Sequence, residues 1–83
     1  MIKANYWKVE ECKYKLQLKT KIKQFMLEEL LVGWDCVSYG YAPKTQEDIY
    51  IFEKQFKSVH AWESFINSNN IIELIEMKEV NNE

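Results

Sequence analysis

Residues 12–23 read "CKYKLQLKTKIK", and the alternation in this stretch decides the fold. Its even positions, Cys12, Tyr14, Leu16, Leu18, Thr20 and Ile22, are apolar or nearly so. Its odd positions, Lys13, Lys15, Gln17, Lys19, Lys21 and Lys23, are polar, and five of the six are lysine. On a helix, a period of two scatters apolar groups around the circumference; on a strand it places them on one face. Lysine, leucine and glutamine favour helix, but the periodicity decides for a strand. The lysine row is then either a surface for phosphate or the wet side of that strand.

Beyond Ile22 the pattern changes period. "KQFMLEELLVG" (23–33) sets Phe25, Met26, Leu27, Leu30 and Leu31 at helical spacing, with Gln24, Glu28 and Glu29 opposite and Gly33 as the C-terminal cap. "WDCVSYGYA" (34–42) and "IYIFEKQF" (49–56) are rich in β-branched and aromatic residues, and Pro43 with "KTQED" forms the turn between them. Ser58 caps a helix over "VHAWESFIN" (59–67), whose Val59, Trp62, Phe65 and Ile66 make one apolar stripe. "NSNN" ends it. "IIELIEMKEV" (71–80) is read as a final strand, although Ile71, Leu74, Ile75 and Lys78 also fit a helix. The order is βαββαβ, which predicts a ferredoxin-like α+β plait with an antiparallel sheet and two helices on one face. The chain is a single domain, 1–83, with residues 1–10 ("IKANYWKV" within them) as an extra edge strand outside the plait.

The 83-residue length, with 47% hydrophobic and 29% charged residues, is that of a small globular domain rather than a disordered chain. No apolar run is long enough to cross a bilayer, and "MIKANYWKVEE" lacks the core of a signal peptide. The expectation is therefore a cytoplasmic protein with both cysteines reduced and no membrane partner. Charge is uneven: residues 1–27 hold seven lysines against two glutamates, while residues 28–83 hold four lysines against eleven acids. Arginine, the residue best shaped for bidentate phosphate or guanine recognition, is absent.

Chemistry-bearing patterns are few. His60 is the single histidine, and Cys12 and Cys36 have neither metal-ligand spacing nor a second histidine as base. No glycine-rich phosphate loop occurs. Adjacent pairs such as Glu10–Glu11 and Glu28–Glu29 do not converge on one point. No catalytic residue, metal site or cofactor is expected, and the chain is read as a non-enzyme.

Aromatic residues are the stronger hint, at twelve of 83. Trp62, Phe65 and Phe25 are expected in the core. Tyr39, Tyr41, Tyr50 and Phe52 fall on a hairpin with large apolar groups on both faces, so one face is expected to be partly exposed or covered by another chain. Two binding surfaces follow. In the first, Tyr39, Tyr41, Tyr50 and Phe52, with the acidic Glu73 and Glu76, contact another protein or a protein–nucleic acid complex. The C-terminal acids (Glu63, Glu73, Glu76, Glu79 and Glu83) would meet a basic groove. In the second, Ile49 and Ile51 face the core, which places Tyr50 and Phe52 beside Lys13, Lys15 and Lys19 on the open sheet face. That arrangement resembles an RNA-recognition motif, with rings that stack bases and lysines that hold phosphates. The third strand reads "DIYIFEKQF" instead of that family's glycine-containing signature, and the first strand offers lysine and glutamine where a stacking ring is expected.

In size, lysine-for-arginine usage and lack of catalytic motifs the chain looks like small phage-encoded proteins that block bacterial defence, such as anti-CRISPR proteins. That resemblance implies a non-catalytic inhibitor that occupies a partner's surface. Protein binding is the preferred expectation, single-stranded RNA or DNA binding the alternative, and a homodimer pairing two open sheet faces the third.

Overall fold

A computed structural model of the chain describes residues 2–80. The elements run β1 (Ile2–Glu10), β2 (Lys13–Thr20), α1 (Gln24–Leu30), β3 (Asp35–Ala42), β4 (Glu47–Gln55), α2 (Val59–Ile66), α3 (Asn69–Leu74) and β5 (Ile75–Glu79). The strands form one mixed sheet in the order β3-β4-β2-β1-β5. β1–β2, β2–β4 and β3–β4 pair antiparallel, and β1–β5 pair parallel. The class is α+β, as expected, but the six-element plait with two helices is not what forms.

Two changes account for the difference. Residues 1–10 do supply a strand over Ile2–Glu10, but it is not at an edge: β1 lies between β2 and β5. β1 and β2 are joined by a turn of only two residues, Glu11 and Cys12, so hairpin pairing closes at small entropic cost and takes the site beside β2. The turn lacks Gly or Asn; Cys12 itself adopts φ 58°. The second change is in 71–80, where both readings of "IIELIEMKEV" are realised in series. Ile71 and Ile75, one helical turn apart, are both buried, and from Ile75 onward the chain alternates as β5.

The core lies on one side of the sheet. Leu16 pairs with Phe52 and Leu18 with Tyr50 across β2 and β4, and all four are buried. Leu27 and Leu31 of the α1 region, Trp62 of α2 and Ile71 of α3 join the same cluster, so all three helices cover this face. Burying each such leucine or phenylalanine contributes about 1.5–3 kcal/mol. Trp62 is the hub of an aromatic cluster: it stacks on Tyr14 at 3.9 Å and meets Phe56 edge-on at 5.4 Å. α2 begins as the sequence indicates, with the Ser58 hydroxyl accepting the Ala61 N–H at 3.1 Å. α1 has no side-chain cap and is only seven residues long, so it depends on packing through Leu27 and Leu31. Its Phe25, expected in the core, is 65% exposed, and Val59 in the first turn of α2 is exposed as well. Residues 24–32 hold more apolar side chains than one helical face can bury, and Leu27 and Leu31 take the buried positions. Gly33 does not cap α1; Leu31 does, and Gly33 follows in the left-handed region at φ +86°.

Candidate functional site

The β2–β4 register places each side of the lysine row. Since Leu16 and Leu18 share a face with Phe52 and Tyr50, the open face carries Lys13, Lys15, Gln17 and Lys19 opposite Gln55, Glu53, Ile51 and Ile49. The expectation for β4 is therefore reversed: the isoleucines accompany the lysines, and Tyr50 and Phe52 are core. The larger rings fill the space under the helices, where their area is removed from water. The row itself divides. Lys13 reaches Glu10 at 3.4 Å and Glu53 at 3.7 Å, and Lys15 reaches Glu53 at 4.0 Å, while Lys19 makes no ion pair among the described residues. Much of the row is thus a solvated face with acidic partners across the strands.

The two sheet edges differ in character. β5 is five residues long and carries Glu76, Lys78 and Glu79, features that discourage pairing with another strand. β3 is eight residues long and its one charge is Asp35 at the start. A bulge between Cys36 and Ser38 interrupts its pairing with β4, after which Ser38–Ala42 runs regularly. Tyr39 and Tyr41, two residues apart on one face of this edge, are 60% and 55% exposed. Tyr39 is held in place: its hydroxyl donates to Asp48 Oδ1 at 2.6 Å, and its ring lies 5.4 Å from that of Tyr50. Accepting that hydrogen bond, the Asp48 carboxylate pushes the Tyr39 phenol up to about 12. Burial raises the Tyr50 phenol too, with Asp48 adding to the effect and the Gln24 backbone opposing it. Among the described residues, six of the ten large apolar side chains that stay exposed belong to α1, β3 and their connection: Phe25, Met26, Val32, Val37, Tyr39 and Tyr41.

The residues expected to bind protein do not form one site. Tyr39 and Tyr41 are on edge β3, Tyr50 and Phe52 are core, and Glu73 and Glu76 lie near the opposite edge, on α3 and β5. Glu63 and Glu79 are exposed; Glu83 lies outside the described residues. The nucleic-acid set is likewise not assembled, because Tyr50 and Phe52 are on the far side of the sheet from Lys13, Lys15 and Lys19. A dimer of open faces would likewise find there not Tyr50 and Phe52 but Trp7, which stands opposite Lys15. Phe25, Met26, Val32 and Val37 were absent from the expected site. For Phe25, Met26 and Val32 the available signal was the surplus of apolar residues in 24–32 beyond one helical face.

Both cysteines are free thiols, Cys12 buried in the β1–β2 turn and Cys36 half-buried on β3. His60 is exposed in the first turn of α2. Among the described residues no three or more His, Cys, Asp or Glu gather to hold a metal, and no helix is long and apolar enough to cross a membrane. No family model, curated protein or solved structure matches this chain.

Proposed function

We propose that this protein is a non-catalytic binding module that captures an extended segment of another protein as an added strand on β3. The observation that carries this reading is the contrast between the edges: β5 is short and charged, while β3 is long, nearly uncharged and carries exposed Tyr39 and Tyr41. Strand addition takes affinity from the unpaired backbone groups of an edge and specificity from alternate side chains. Tyr39 is well suited to anchor a partner, because its hydrogen bond to Asp48 has already restricted the ring before binding. Val37 on the same strand is exposed as well. Inhibition of a host defence complex, in the manner of phage-encoded anti-CRISPR proteins, is the narrower form of this proposal. It is supported by size, lysine usage and the lack of catalytic motifs.

Selection of linear peptides from a random display library against the immobilised protein tests the reading. Bound peptides are expected to slow hydrogen exchange at β3 amides, to be lost in Tyr39→Ala and Tyr41→Lys, and to survive nuclease treatment. Peptides that protect β5 or the open face instead would refute it, as would failure to recover any binder. Sedimentation across a concentration range separates capture of a foreign strand from self-pairing of β3, which would appear as a dimer abolished by Tyr41→Lys.

A further inference from the structure

A groove of about 1110 Å³ opens on the lysine side of the sheet and runs round its end to α3, where Glu73 and Leu74 line it; β3 takes no part. Its floor is a tile of two cross-strand pairs from β1 and β2, Lys3 opposite Lys19 and Asn5 opposite Gln17. Like charges placed directly opposite each other are unfavourable in a sheet. Neither Lys3 nor Lys19 is relieved by an ion pair among the described residues, although Lys13 and Lys15 higher in the sheet are. Glu76 is the register partner of Lys3 on β5, yet the two side chains form no ion pair either. Two carboxylates, Glu47 and Glu73, also line the groove, and Ile49 supplies an apolar wall beside Lys19.

This mixture narrows the ligand. Two lysines at directly paired positions, each ammonium with three donors, suit a phosphate and disfavour a cation. A ligand that was anionic throughout would be repelled by Glu47 and Glu73. Carboxylates are suitable acceptors for ribose hydroxyls, and side-chain amides both donate and accept, as a base edge requires. The volume is of the order found for small-molecule sites. No ring lines the groove on which successive bases of a strand could stack; Trp7, on the same face of β1, lies outside the lining. We propose that this groove binds a free mononucleotide, with its phosphate on Lys3 and Lys19 and its ribose hydroxyls on Glu47 or Glu73. The proposal is independent of the β3 surface.

A two-dimensional NMR titration of the full chain with adenosine monophosphate, inorganic phosphate and a short single-stranded oligothymidylate tests it. Adenosine monophosphate is expected to shift the amides of Lys3, Asn5, Gln17 and Lys19 saturably. Loss of one charged hydrogen bond in Lys19→Gln should weaken it about tenfold or more. Lys13→Gln should leave it unchanged. Glu73→Gln with Glu47→Gln should weaken adenosine monophosphate while tightening inorganic phosphate. Dispersed spectra confirm that each surface variant is folded. Absence of saturable shifts with adenosine monophosphate would overturn the proposal, and so would equal losses in Lys13→Gln and Lys19→Gln. Tighter, steeply salt-dependent binding of the oligothymidylate would also overturn it, in favour of a nucleic-acid strand.

Discussion

Tyr39 of β3 donates its hydroxyl proton to Asp48 of β4 at 2.6 Å, and the same carboxylate accepts a longer bond from Tyr50 at 3.4 Å. An exposed ring is thereby fixed in place by a group on the neighbouring strand, and its acidity reports on that contact. The unfolded chain releases this proton near pH 10, while the folded chain holds it to about 12. The native state thus binds the proton more tightly. The stabilisation is complete below about pH 10 and fades as pH rises through the folded value near 12. An ultraviolet titration is expected to show a late-ionising phenol that disappears in Tyr39→Phe and moves to lower pH in Asp48→Asn. An unchanged titration in Asp48→Asn would show that the pair does not form.

The assignment of faces on β4 is tested by two neighbouring substitutions. Phe52 is fully buried opposite Leu16, so Phe52→Ala should cost about 3–5 kcal/mol in urea unfolding. Ile51 points to the open face and is half-buried, so Ile51→Ala should cost about 1 kcal/mol. The reverse ranking would mean that β4 is turned over.

Ser58 gives a local test. Its hydroxyl accepts the Ala61 N–H, so Ser58→Ala should lower stability by about 1 kcal/mol, and Ser58→Asp should retain it. Loss in both variants would place the effect outside the cap.

Trp34 is buried against Phe56 and Phe65, yet its indole Nε1 has no hydrogen-bond partner among the described residues. An unpaired buried donor carries a penalty of about 1–3 kcal/mol. Trp34→Phe removes that donor along with part of the ring and should change stability by less than about 1.5 kcal/mol. Trp34→Ala, which leaves a cavity, should cost about 3–5 kcal/mol. Equal losses in the two variants, measured by urea unfolding, would show that the indole N–H is satisfied in solution.

The parts of the fold that were legible are those whose cause is local. The alternation of Cys12–Lys23 requires a strand because only a strand puts its leucines on one side, and β2 follows it from Lys13 to Thr20. Ser58 before an apolar stripe specifies a helix start through a bond spanning three residues. The β3–β4 hairpin was legible from its composition and the Pro43 turn. β1 was less so, because its turn to β2 has Cys12 rather than glycine or asparagine in the left-handed conformation, and nothing in "EECK" marks it.

The candidate site was legible only in part. Exposure of aromatics on the hairpin was expected and holds for Tyr39 and Tyr41, but the same reasoning joined them to Tyr50 and Phe52, which lie in the core, and to acids near the other edge of the sheet. On β4, Ile49 and Ile51 alternate with Tyr50 and Phe52, so neither face is polar and the pattern has no preferred side. Pairing with β2 breaks the tie, because the rings stand opposite Leu18 and Leu16 beneath three helices. The sequence by itself determined strand or helix for β2, α1, β3, β4 and α2, through periods of two and 3.6 and a cap spanning a few residues, while 69–79 fit both and divided into α3 and β5. Tertiary structure alone decided where β1 inserts, which side of β4 is buried and which of two edges is left open. Those outcomes depend on contacts between residues far apart in the chain, where register and packing volume, not local pattern, set the free energy.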